Sequence, residues 1–226
     1  MEIIEKVMGK NIKYLLTESL FFRLFIVYFI AWGSLMYNYG NQEMLLLINE
    51  NHNGILDPIF KYVTHIGGGW FTFAICLVIF AMRFKWGIIA AISFMGSAVI
   101  TQVLKRLVFD WDRPGVVFAD KLDQLNLVEG VHLHSSFSFP SGHATAAAAA
   151  FCLLSLIMVE KKYLGFLFCF LAIMAGFSRA YLMQHFPSDI LVGSIIGALT
   201  SLIVYAWLKD KKFGSWGDKS FFKKAS

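Results

Sequence analysis

The chain is predicted to be all-α: an integral membrane bundle of six transmembrane helices with short interfacial helices. Three observations predict this. The 226 residues are 58% hydrophobic and only 15% charged, whereas a soluble domain carries about 25% charged residues. The apolar residues come in uncharged blocks rather than at amphipathic spacing, and six of these approach membrane-spanning length. The basic residues are also divided unevenly between the two ends of such a bundle.

Taken in order, residues 1–18 are charged and amphipathic. They are expected to lie along the inner surface of the membrane or to form an ordinary frayed helix, and no small-residue site marks a cleavable signal peptide. The apolar runs follow at Leu24 to Tyr39, Ile66 to Met82, Trp86 to Leu104, Ala144 to Val159, Tyr163 to Ser178 and Ile190 to Leu208. A spanning helix needs about 20 residues, with roughly 17 as the lower limit. Three of the runs, at 16 residues, are short on that measure, and two of these, Ala144 to Val159 and Tyr163 to Ser178, border polar motifs. The stretch from Met44 to Phe60 is a candidate interfacial helix, with a plain connection as the alternative. Gly115 to Phe139 mixes Phe118, Leu122, Leu125 and Leu127 with charges, as expected of a lid lying flat on the membrane or of a partly ordered loop. Residues 209–226 form a basic cytoplasmic tail. The whole of 1–226 reads as a single membrane-embedded domain.

Cys76, Cys152 and Cys169 all fall inside apolar runs, which makes them packing residues rather than a disulfide framework. The net charge of +5 would suit nucleic acid in a soluble protein, but its distribution points elsewhere. Lys6, Lys10, Lys13, Arg83, Lys85, Lys161, Lys162 and the tail lysines from Lys209 to Lys224 fall on one side of a six-helix threading. Lys61, Lys105, Arg106, Arg113, Lys121 and Arg179 fall on the other. The positive-inside rule then places both termini in the cytoplasm and the second set of loops outside.

Three polar clusters lie on that outer side. Lys105, Arg106, Arg113 and Pro114 follow the third apolar run. Pro140-Ser141-Gly142-His143 precedes the fourth. Ser178-Arg179 and His185 to Asp189 join the fifth and sixth. Ionisable residues against a bilayer are costly, and mark function by default. Ser141 is a good N-cap and Gly142 allows close backbone approach, so the helix they open presents unpaired N–H groups to an anion. His143 in its first turn reaches the same anion. Pro187 suits a helix start and Ser188 is placed to cap it. Asp189 is in reach of His185, and a carboxylate on one imidazole nitrogen leaves the other free as base or nucleophile. Arginines add bidentate phosphate donors. Cations from separate loops, two histidines and one aspartate suit phosphoryl transfer. A metal site would want more carboxylates or clustered histidines. His132 and His134 have no third ligand in view, so no metal is expected.

These motifs resemble the type 2 phosphatidic acid phosphatase superfamily of membrane-embedded lipid phosphatases. Its signatures are a Lys followed by Arg-Pro, then Pro-Ser-Gly-His, then Ser-Arg, His and Asp in one segment. The second and third stand here without departure. The first departs: the family's spacing, counted back from Arg113, falls on Arg106, with Lys105 one residue further. Either Arg106 replaces the lysine, or Lys105 keeps the role with one residue inserted.

The resemblance implies His185 as nucleophile through a phosphohistidine, Asp189 orienting it, and His143 as acid and then base. It implies Arg113, Arg179, Lys105 or Arg106, Ser141 and the Gly142 amide as phosphate ligands, and no cofactor. The expected activity is metal-independent removal of phosphate from a membrane lipid phosphate or pyrophosphate. Phosphotransfer to a second lipid and non-catalytic binding or transport of an anionic lipid are the alternatives. Phosphatidic acid, phosphatidylglycerol phosphate, undecaprenyl pyrophosphate and lipid A phosphates are the substrates the resemblance offers. The bilayer and the lipid phosphate are the expected partners, with no nucleic acid and no obligate protein partner. The expected location is a bacterial cytoplasmic membrane with the site on its outer side.

Overall fold

A computed structural model describes residues 12–214, 216–217 and 219–221. The described residues are helical or irregular, with no strand. The amphipathic segment expected over 1–18 lies outside the described residues for 1–11, while 12–18 are helical. The elements used below are α1 (Leu20–Tyr39), α2 (Asn41–Glu50), α3 (Leu56–Val63) and α4 (Gly69–Met82). They continue with α5 (Phe84–Val103), α6 (Gly142–Ile157), α7 (Lys162–Tyr181) and α8 (Pro187–Leu208).

Among the described residues, four helices are long and apolar enough to cross a membrane: α1, α5 with its extension to Val108, α7 and α8. Leu56–Gly67 and Gly69–Met82 meet at a 53° bend and make a fifth if counted as one broken span. The remaining run of the expected six, α6, has 16 residues and measures only about 24 Å at 1.5 Å per residue. Its shortness has a physical reason. Ala147 to Ala150, Cys152, Leu153 and Leu156 are all inaccessible, so α6 is lined by protein rather than lipid.

Small residues let its neighbour close in. A Cβ on Gly193 would lie 2.4 Å from the Ser141 carbonyl oxygen, and one on Gly197 2.2 Å from that of Thr145. This Gly-x-x-x-Gly face of α8 therefore touches the α6 backbone directly, the usual device where no hydrophobic drive separates helix from lipid. Ser201 Oγ donates to the Ala149 carbonyl at 2.9 Å across the same seam. At one end of the bundle, the chain after α8 folds back on the α4–α5 turn, with the Phe84 and Lys85 amides donating to the Lys219 and Gly217 carbonyls. The three polar clusters gather at the other end.

The connections differ from expectation in two places. Met44 to Phe60 is not one interfacial helix, since α2 stops at Glu50 and α3 starts at Leu56. The second is 115–139, part of which is anchored in the bundle. Phe118 is buried against Phe186, ring centroids 6.1 Å apart, and Leu133 packs into the same cluster.

Candidate active site

His185 sits in the turn between α7 and α8, 1% exposed. Its amide and that of Gln184 both donate to the Arg179 carbonyl, at 3.2 and 2.8 Å, so the chain reverses tightly there, with Met183 at φ 54. Pro187 opens α8 and Phe186, not Ser188, is its N-cap residue. Asp189, in the third helical position, does the capping: its Oδ2 accepts from the Phe186 amide at 3.0 Å. The same oxygen accepts from Ser138 Oγ at 2.5 Å and faces His185 Nδ1 at 3.3 Å. Ser188 instead donates to Asp189 Oδ1 at 3.1 Å. With Nδ1 directed at the carboxylate, Nε2 is the free nitrogen. Burial, and then Arg113, Arg179 and Lys105, hold the His185 pKa well below the ordinary imidazole value, so the ring is neutral.

The second cluster is tied to the third through backbone. The Ser141 amide donates to the Asp189 carbonyl at 2.9 Å, which sets the N-terminus of α6 beside that of α8. Ser141 Oγ caps α6 by accepting from the Ala144 amide at 3.4 Å, leaving its proton available. A Cβ on Gly142 would meet nothing within 4 Å, so the space above this helix end is open. His143 is half-buried and lies in the combined field of Arg179, His185, Arg113 and Lys105. Gly67 is pressed against it, since a Cβ there would lie 2.7 Å from the His143 carbonyl oxygen.

The question of Lys105 against Arg106 has a backbone answer. Leu104–Val108 is a π-helical turn, and the Phe109 amide bonds to the Leu104 carbonyl, five residues back, at 2.8 Å. A π-turn holds one residue more than an α-turn, which is the inserted residue of the departing signature. Lys105 is consequently 7% exposed, inside the cluster. Arg106 is exposed, its Nε on Gln102 Oε1 at 3.1 Å and its guanidinium over the Phe137 ring at 5.2 Å.

Arg113 is aimed by Nε to the Ser136 carbonyl, 2.8 Å, and Nη1 to the Gln184 carbonyl, 3.1 Å. Arg179 is 6% exposed, with Nη1 donating to Thr64 Oγ1 at 2.7 Å and Nη2 to Gln184 Oε1 at 3.4 Å. Its Nε is buried with no hydrogen-bond partner. A buried, unmatched N–H on a cation is costly, and an anion seated among Lys105, Arg113 and Arg179 would satisfy it.

Thr64, Gly67, Ser138 and Gln184 were not singled out in the sequence. Gln184 and Ser138 stand inside or beside the motifs, where proximity was a usable signal. Thr64 and Gly67 lie far upstream, and nothing local marks them.

Two clefts reach this centre. A polar one of about 320 Å³ is lined by Lys105, Arg106, Arg113, His134, Ser135 and Ser136, among others. An apolar one of about 470 Å³ opens between α4, α5 and α6, past Phe73, Cys76, Phe94 and Met95, and ends at Gly142 and His143. His132 and His134 are exposed, rings edge-on at 5.4 Å. Among the described residues no group of three or more His, Cys, Asp or Glu is placed to hold a metal.

Comparison with known proteins agrees with these motifs. The family model described as "PAP2 superfamily" matches residues 84–213. The chain is 26% identical over 169 residues to an undecaprenyl-diphosphatase of Sulfolobus acidocaldarius, covering 72% of this chain and 76% of that one. It is 28% identical over 162 residues to phosphatidylglycerophosphatase B of Bacillus subtilis, covering 66% and 73%. Among solved structures it resembles Aquifex aeolicus LpxE, with TM-score 0.62 at 27% identity over 73% of this chain and 93% of that one. A Bacillus subtilis PAP2-type phosphatidylglycerolphosphate phosphatase shares the fold, with TM-score 0.63 at 24% identity over 84% and 96%.

Proposed function

We propose that the chain, which belongs to the PAP2 superfamily, is a hydrolase of lipid phosphates like its relatives and works through a phosphohistidine at His185. The observation that carries this is Arg179 Nε, buried without a partner beside a neutral histidine and two further cations. Phosphoryl transfer needs little covalent chemistry from the protein beyond positioning and neutralising charge on the equatorial oxygens. Lys105, Arg113 and Arg179 supply the charge. Ser141 Oγ–H and the Gly142 amide are assigned to the same anion.

In the first half-reaction His185 Nε2 attacks phosphorus as the bond to the lipid oxygen breaks. His143, protonated at that stage, gives its proton to the leaving oxygen. Asp189 holds the proton on His185 Nδ1 and offsets the positive charge that develops on the ring. In the second half, His143 takes a proton from water as that water attacks phosphorus, the N–P bond breaks, and its electron pair returns to Nε2.

The lipid tail is taken to lie in the apolar cleft between α4 and α5, which ends at His143, the residue assigned to the leaving group. Relatives named for undecaprenyl diphosphate, phosphatidylglycerophosphate and lipid A support a long-tailed phosphate or diphosphate. We take all six apolar segments as crossings, with both termini in the cytoplasm and the site at the outer face. Arg83, Lys85, Lys161, Lys162 and Lys209 at the far end of the bundle support that orientation.

The test is phosphate release by purified protein in detergent from a panel of lipid monophosphates and diphosphates, with EDTA present. Release that His185→Ala abolishes is expected. No release from any lipid, or undiminished release by that variant, would overturn the reading.

A further inference from the structure

Outside the phosphate site, a second group of titratable side chains joins the turn after α2 to the end of α7. The His52 side chain is 5% exposed, and its ring stacks on Tyr181 with centroids 3.9 Å apart. Both ring nitrogens are engaged: Nε2 lies 2.9 Å from the Tyr181 carbonyl oxygen, and Nδ1 2.9 Å from Asp57 Oδ1. A carbonyl can only accept, so Nε2 carries a proton. The Tyr181 hydroxyl donates to the same Oδ1 at 2.6 Å and accepts from the Asn53 amide at 3.3 Å.

These bonds link two elements that both serve the phosphate site. Tyr181 ends α7, directly before the turn that carries His185. Asp57 lies in the first turn of α3, and the chain runs from α3 into Thr64, which holds Arg179, and Gly67, which abuts His143. The α3 segment is thus fixed to the site at both ends.

We propose that His52 and Asp57 are positioning residues for the reaction. Through Tyr181 they fix the end of α7 from which Arg179 and the His185 turn project. Through α3 they hold Thr64 against Arg179. Neither touches the reacting atoms. The kinetic consequence rests on the phosphatase reading above, while the structural consequence does not.

The experiment uses the full-length protein in detergent, with whichever lipid phosphate the unaltered protein hydrolyses. Misplacing a catalytic group by about 1 Å can cost on the order of 10²-fold in rate. His52→Ala and Asp57→Asn are each expected to lower kcat at least about tenfold, with KM within about threefold. Because the two act as one unit, the double variant should be no slower than the slower single variant. Asp57→Glu, which keeps an acceptor, should recover most of the rate.

A second readout needs no substrate. Hydrogen exchange at the Gln184 and His185 amides should quicken about fivefold in each of these two variants if the bonds they remove are worth a typical ~1 kcal/mol. Tyr181→Phe keeps the ring stack and the carbonyl contact, and should show the same exchange effect if the other variants do not fold. Unchanged exchange and unchanged kcat in folded variants would overturn the proposal, as would losses that multiply in the double variant. If the unaltered protein released no phosphate, the phosphatase reading would fall, and exchange alone would decide the positioning role.

Discussion

The Ser141 amide donates to the Asp189 carbonyl across 2.9 Å, joining the first residues of two helices that belong to separate motifs. Through that one bond the anion-facing end of α6 and the carboxylate that orients His185 share a fixed frame. Gly193 lies one helical turn beyond Asp189 on α8, where a Cβ would strike the Ser141 carbonyl. The placement of His143 relative to His185 and Asp189 therefore depends on the closeness of α6 and α8.

A first prediction follows from that closeness. Gly193→Ala must push the two helices apart, an overpacking cost of about 1–3 kcal/mol. The variant should unfold at lower temperature in detergent and lose turnover, as read by a thermal shift assay and by phosphate release. A variant with unchanged unfolding temperature and rate would show that the contact is not tight.

Removing the acid–base groups should be far more costly for rate than for stability. General acid–base steps contribute about 10²–10⁴-fold, and His143→Ala is expected to lose that much kcat while still folding. Asp189→Asn should fall in the same range, because the amide disturbs the His185 tautomer and leaves Ser138 and the Phe186 amide less well matched. Single-turnover kinetics with the purified variants would measure both.

The two neighbouring cations should separate clearly. Lys105→Ala removes a buried charge from the phosphate site, and is expected to lower kcat/KM by about 10²-fold, the loss typical of one stabilising donor. Arg106→Ala, on the exposed side of the π-turn, should cost about threefold or less, in line with an exposed side chain. Equal losses in the two would contradict the inward placement of Lys105.

The pH dependence carries a definite sign. In the proposed mechanism His185 reacts as the neutral ring, and its pKa is pushed well below 6.5 by burial and by Arg113, Arg179 and Lys105. A lowered pKa keeps the ring neutral to lower pH, so the acid limb of kcat/KM should lie below pH 6.5. A bound phosphate neutralises those cations and raises the His185 pKa, so the acid limb of kcat should lie at higher pH than that of kcat/KM. Those cations also surround His143, so it carries a proton only once the phosphate is bound, and loss of that proton gives the alkaline limb of kcat that completes a bell. A profile flat between pH 5 and 9 would contradict the pairing.

Much of this was legible in the chain itself. Asp189 follows His185 by four residues, on a turn that Pro187 starts, and such contacts are local. Ser141 before Gly142 and an apolar run marks a capped helix without any structure. Blocks of uncharged apolar residues announce a bilayer, because no other solvent tolerates them.

Other features depended on residues meeting across the bundle. The capping role passed from Ser188 to Asp189 because the backbone at Phe186 turned toward the carboxylate. The burial of Lys105 and exposure of Arg106 required the π-turn, which adds one residue to the ladder without changing composition. Thr64 and Gly67 serve Arg179 and His143 only because the bend before α4 returns the chain to the site. The shortness of α6 became intelligible once its faces were seen covered by protein. Sequence determined the solvent, the helices and the reactive residue types, since these follow from local pattern and transfer energy. Tertiary structure decided which side chains point inward and which bonds hold them, since contacts between distant segments depend on packing that no local pattern encodes.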